Sequence, residues 1–122
     1  MITAGYALPL VALYIFLSLH VVNARKTHRV SIGDGGKDDL ALRIRTHGNL
    51  AEYAPFGIVM LLLAELAGAG AIALHLSGAA LVVGRALHAW ALGFGGPMGA
   101  RVAGMVLTLL SLAASAVLAV LA

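Results

Sequence analysis

The sequence contains no cysteine, and charge is scarce: 8 Lys and Arg with 5 Asp and Glu in 122 residues, or 11%, against 61% hydrophobic. Without cysteine there is no disulfide, no thiolate nucleophile and no thiolate metal site, so any thiol chemistry needs a thiol carried in by a cosubstrate. Soluble domains run at roughly 45–50% apolar and 25% charged residues, and the shortage of charge here excludes that class. The net charge of +3 implies no nucleic-acid partner, because no soluble surface is left to carry a basic groove. It reads instead as a signal of orientation.

The charges are also unevenly spread. Arg25, Lys26, Arg29, Asp34, Lys37, Asp38, Asp39, Arg43, Arg45 and Glu52 crowd one stretch, and only Glu65, Arg85 and Arg101 lie elsewhere. The uncharged lengths 1–24, 53–64, 66–84, 86–100 and 102–122 suit the bilayer, where a helix needs about 20 mostly apolar residues to cross roughly 30 Å of hydrocarbon. The fold class expected is an all-α integral membrane domain, one four-helix transmembrane bundle covering 1–122.

The first span is expected at about 4–25, with Pro9 near its start, where lost hydrogen bonds cost least; Arg25 and Lys26 end it. No positive segment precedes it, so it reads as a retained helix and not as a cleaved signal peptide. Gly33, Asp34, Gly35 and Gly36 mark a loop over about 26–37. The second helix is expected at 38–67, with Asp38 and Asp39 at its positive N-terminal end, the third at 71–93 and the fourth at 98–121. Ala67 to Gly70 and Gly93 to Pro97 form the short turns between them. Lys and Arg at 25, 26, 29, 37, 43, 45 and 101 fall on one side and none on the other. By the positive-inside rule the 26–37 loop faces the cytoplasm and both termini face outward. Gly104, Thr108, Ser111 and Ser115 form a small-residue stripe on the fourth helix, with Ala80 and Gly84 as counterparts on the third. No internal repeat and no heptad seam is visible.

Ionisable groups inside spans cost several kcal/mol unless they meet a partner or water. Arg45, Asn49 and Glu52, separated by steps of four and three, share a face of the second helix. Arg85 and His88 share a face of the third, and Arg101 opens the fourth on the same side. Three guanidiniums against one carboxylate make a cationic surplus suited to a small polyanionic ligand, with Glu52 and Asn49 open to its ammonium or amide groups. The plainer alternative pairs Arg45 with Glu52 and lets Arg85 and Arg101 snorkel to lipid phosphates. Glu65 belongs to a different layer, either as the acid of a proton-coupled transporter or in a hydrogen bond across an interface near the helix end. No His or carboxylate spacing suggests a metal site, and the serines form no nucleophile elbow.

The run Arg45-Thr46-His47-Gly48-Asn49-Leu50-Ala51-Glu52-Tyr53-Ala54-Pro55-Phe56 resembles the second-helix signature of the MAPEG family (membrane-associated proteins in eicosanoid and glutathione metabolism), in particular its bacterial branch. Arg29 to Gly36, Gly84-Arg85-Ala86-Leu87-His88-Ala89 and Arg101 follow family features in the same order. The resemblance implies a homotrimer with glutathione as cosubstrate, bound between subunits near the cytoplasmic face of the inner membrane. It implies Arg45, Asn49, Glu52, Arg85 and His88 as the glutathione-binding set and Arg101 as the arginine that stabilises the thiolate. The acceptor would be a lipophilic small molecule dissolved among the surrounding lipids. Gly48 and Leu92 depart from the pattern, standing where well-studied eukaryotic members carry an arginine and several carry a tyrosine. The leading expectation is therefore a membrane glutathione transferase or peroxidase, and the alternative is a non-catalytic scaffold or partner-binding subunit that keeps the fold.

Overall fold

The structure, a computed structural model, describes residues 1–122. It is built from four helices, α1 (Ile2–His28), α2 (Asp38–Leu66), α3 (Ala71–Gly93) and α4 (Met98–Leu121). Each is long and apolar enough to cross a membrane. Short connections turn successive helices antiparallel: Gly68, at φ 91°, turns α2 into α3, and Gly95, at φ 77°, turns α3 toward Pro97 at the start of α4.

α1 runs three residues past its expected end. Arg25, Lys26 and His28 fill its last turn, where positive charge suits the negative end of the helix dipole. Leaving the hydrocarbon therefore does not end the helix; Arg29 does, by entering the left-handed region at φ 57°.

At the opposite end of the bundle, Glu65 is bound to the start of α1. Its carboxylate accepts the backbone amides of Ile2 at 2.6 Å and Thr3 at 2.8 Å, two of the amides that a helix N-terminus leaves without partners. Of the two readings offered for Glu65, the interface hydrogen bond is the one the geometry contains. The transporter reading loses its basis, because both carboxylate oxygens hold helix amides.

α1, α2 and α3 enclose one apolar core around Leu10, Leu17, Leu50, Ala54, Leu81 and Ala89, with a second cluster at Leu61, Ala64 and Leu74. The buried residues of α1 are Thr3, Leu10, Leu17 and Ala24, one every seventh position. That seam is absent from the sequence as a pattern because the flanking positions are apolar as well. α2 buries Leu50, Ala54, Gly57, Leu61 and Ala64 at alternating steps of four and three, the spacing of left-handed helix packing.

α4 packs on α3 and α2 but not on α1. Its buried residues are Gly104, Thr108, Ser111 and Ser115. Ser77 on α3 is hydrogen-bonded to Ser111 Oγ at 3.1 Å and Ser115 Oγ at 2.5 Å, and Ser111 Oγ donates to the Ser77 carbonyl at 2.7 Å. Where Gly84 meets Gly104 the backbones touch: a Cβ on Gly104 would lie 2.6 Å from the Gly84 carbonyl oxygen and 2.7 Å from the His88 amide nitrogen. Gly104→Ala is expected to cost about 1–3 kcal/mol by overpacking. Gly99→Ala, one turn earlier and with no atom near its Cβ, is expected to cost nothing. Thermal unfolding of the two variants in detergent, followed by circular dichroism, checks the contrast.

Candidate functional site

The glycine contact between α3 and α4 sets the positions of the polar residues around it. Arg85 follows Gly84, His88 lies one turn further on, and Arg101 and Thr108 flank Gly104 by about one turn on either side. Arg85 is 1% exposed. Its Nε donates to Thr108 Oγ1 at 2.9 Å, and one terminal nitrogen donates to Asn49 Oδ1 at 2.5 Å and to the Asn49 carbonyl at 3.4 Å. The guanidinium carbon lies 5.0 Å from the centre of the Tyr53 ring, within the range of a cation–π contact. The other terminal nitrogen is 3.9 Å from Met105 Sδ.

This excludes the snorkelling alternative for Arg85, which lies inside the subunit and ties α2, α3 and α4 together. None of these partners is a carboxylate, so the buried cation has no counter-ion within its own subunit. His88 is buried too, one turn along α3 from Arg85.

Arg45 and Glu52 form a two-pronged ion pair along α2, with nitrogen–oxygen distances of 3.2 and 3.1 Å. Their side chains are 54% and 56% exposed, whereas Asn49 between them is buried. The single face expected for these three residues is therefore two. At 100° per residue, a step of seven returns almost to the starting direction, while a step of four lands about 40° further round. Arg45 and Glu52 point outward along one line, and Asn49 turns in toward Arg85. The ion pair spans two helical turns, and at Gly48 between them a Cβ would lie 3.3 Å from an Arg45 terminal nitrogen. The missing side chain at 48 leaves the path that the guanidinium takes.

Arg101, in the first turn of α4, is exposed and has no hydrogen bond or ion pair within the subunit. A cation there adds to the positive end of the helix dipole instead of opposing it. The structure thus joins Arg85 to Asn49, joins Arg45 to Glu52, and leaves Arg101 without a partner beside His88. Two participants were not in the expected set. Thr108 was legible only as a small residue for packing, and Tyr53 stood in the motif without a role; the one-turn spacing of Thr108 from Gly104 was the available signal for the first. No three His, Asp or Glu side chains converge as a metal site would require.

Fold and polar layer together define a multi-pass, four-helix membrane protein with a cationic cluster at one end of the bundle. The chain belongs to the MAPEG family, whose model matches residues 3–121. Among its relatives are the inner membrane proteins YecN of Escherichia coli strains K12 and O6:H1 CFT073. Each is 41% identical over 88 residues, covering 72% of this chain and 67% of the relative.

The two pairs differ in what their loss should cost. Asn49→Ala, which leaves a buried guanidinium short of an acceptor, is expected to lower stability by about 2–3 kcal/mol. Arg45→Gln, which breaks an exposed pair, is expected to lower it by less than about 1 kcal/mol. Denaturant titrations in mixed micelles measure both.

Proposed function

We propose that this protein is a membrane glutathione transferase or glutathione-dependent peroxidase of the inner membrane, working as a homotrimer with the 29–37 loop toward the cytoplasm and both termini outward. The observation that carries this reading is the cationic surplus. Arg85 and Arg101 have no carboxylate partner in the subunit, and Arg85 is buried, one turn from the buried His88 on the same helix. Glutathione suits that surplus, since it brings two carboxylates, one ammonium and, when activated, a thiolate. Family membership supports the same class, and the inner-membrane relatives support the location.

On this reading each group has a role that its geometry supports. Arg101, unpartnered at the positive end of α4, favours the thiolate form of a sulfur beside it, and thiolate is the reactive form. The exposed Arg45–Glu52 pair can part to take a carboxylate on the arginine and an ammonium on the glutamate. Arg85 and Asn49, already bound to each other, supply positive potential and a fixed wall together with His88. In conjugation, sulfur bonds to an electrophilic carbon of a lipophilic acceptor, and the leaving group departs with its electron pair. In the peroxidase reaction, two glutathiones are oxidised to the disulfide while a lipid hydroperoxide is reduced to the alcohol and water. An exposed ion pair on a membrane helix also needs a wet or protein-covered neighbour, which supports subunit association along that face of α2.

A non-catalytic scaffold is the second reading, favoured by the closure of Arg45 and Glu52 on each other across Gly48. Stopped-flow detection of thiolate absorbance on mixing the purified protein with glutathione separates the two. The expected result is thiolate formation at millimolar glutathione; its absence there favours the scaffold. Arg101→Ala is expected to lower turnover of a generic electrophile by roughly tenfold or more with little change in glutathione affinity, the loss of one transition-state charge contact. Glu52→Ala is expected mainly to weaken binding. Steady-state kinetics paired with calorimetric titration resolves the split.

A further inference from the structure

The loop between α1 and α2 has a fixed shape and displays one apolar side chain among cations. The terminal nitrogen of Arg25 donates to the carbonyls of Val30 at 3.3 Å and Gly33 at 2.8 Å, which bracket residues 31 and 32. Asp34 Oδ1 accepts the Gly36 amide at 2.9 Å, and His28 Nε2 meets Asp39 Oδ2 at 2.8 Å across the base of the loop. Val30 is folded in: a Cβ at Gly35, where φ is 58°, would lie 2.6 Å from Val30 Cγ2. Ile32 is left 89% exposed. Lys26, Arg29 and Lys37 are exposed as well and take part in no ion pair.

The depth of the loop says what surrounds it. The first 24 residues carry no charged side chain, so Arg25 marks the edge of the hydrocarbon. Arg29 is four residues further along the helix, about 6 Å, while the headgroup layer on each side is roughly 5–8 Å thick. The loop therefore lies within the headgroup layer, where an isoleucine without protein neighbours meets lipid.

We propose that this loop is a lipid-binding element, with Ile32 seated among the headgroups and upper acyl carbons and Lys26, Arg29 and Lys37 holding the phosphates of anionic phospholipid. Apolar insertion next to Lys and Arg is the combination by which surface segments bind anionic membranes. The acids Asp34, Asp38 and Asp39 offset three of the four positive charges of Arg25, Lys26, Arg29 and Lys37, so Ile32 supplies the main attraction and the cations supply a selectivity of one net charge.

The absence of cysteine makes the test clean, because Ile32→Cys gives the full-length protein one site for a nitroxide label. The labelled protein is reconstituted in phosphatidylcholine vesicles with and without phosphatidylglycerol, and Ser31→Cys serves as the neighbouring reference. At position 32 the label is expected to be reached by oxygen and shielded from a water-soluble nickel chelate, with the opposite at 31. Phosphatidylglycerol is expected to raise the ratio of shielded to water-exposed label about fivefold, the effect of roughly one charge at the surface. Lys26→Gln with Arg29→Gln removes that increase and leaves the shielding in phosphatidylcholine. Equal chelate access at 31 and 32 overturns the proposal in favour of a loop in water. Shielding of position 32 from both reagents overturns it in favour of cover by protein, a second copy or another partner.

Discussion

The touching backbones of Gly84 and Gly104 are the constraint on which the polar end of the bundle depends. Helices in lipid gain little from burying apolar side chains against each other, because the surrounding chains are equally apolar, so close packing and hydrogen bonds must hold them together. Two glycines facing each other remove the Cβ atoms that would hold the axes apart. At that distance the Arg85 Nε reaches Thr108 on α4, while one terminal nitrogen reaches across to Asn49 on α2. The serine network of Ser77, Ser111 and Ser115 closes the same seam further along. With a larger residue at either glycine, α4 moves off and the arginine loses its acceptor on one side.

Within that frame the three guanidiniums are not equivalent. Arg85 has its donors satisfied by neutral groups and its charge balanced by none. Arg45 has its charge balanced by Glu52, but on an exposed face. Arg101 has neither an acceptor for its N–H groups nor a balancing charge within the subunit. In a low-dielectric layer an unbalanced charge costs several kcal/mol, and that cost falls on Arg85, the one guanidinium of the three that is buried. A site of this kind is stabilised by whatever anion enters it, which is why the surplus, more than any single residue, carries the functional reading.

Much of the architecture was legible in the sequence, since charge-free lengths and glycine-rich breaks set the number of helices and nearly all their ends. The end of α1 is not legible because Arg25 and Lys26 read as stops, although cations in a last turn favour helix continuation. The seven-residue seam of α1 stayed hidden because a membrane helix is apolar on its outer face as well, so buried and lipid-facing leucines look alike. For the site, spacing found the right residues but not their directions. A step of four and a step of seven both stay on one side of a helix, yet they differ by about 60° of rotation, enough to send Asn49 inward and Glu52 outward. Thr108 and Tyr53 escaped because a hydroxyl in a small-residue stripe and an aromatic in an apolar run carry no sign of the charge they will meet.

Gly48 ties the local geometry to the question of activity. Arg45 and Glu52 are two turns apart, a reach that the guanidinium makes only by lying along the helix over position 48. A side chain there would crowd that path, and an arginine there would add a fourth guanidinium to the site and compete with Arg45 for the same glutamate. Glycine instead lets the pair close on itself. A zwitterionic ligand must then exchange one exposed ion pair for two, an exchange close to neutral because the pair is solvated and worth little on its own. On the proposed reading, the pair would set selectivity for a ligand carrying both signs of charge more than affinity. The driving force for an anion falls on Arg101 and on the uncompensated field of Arg85 behind it.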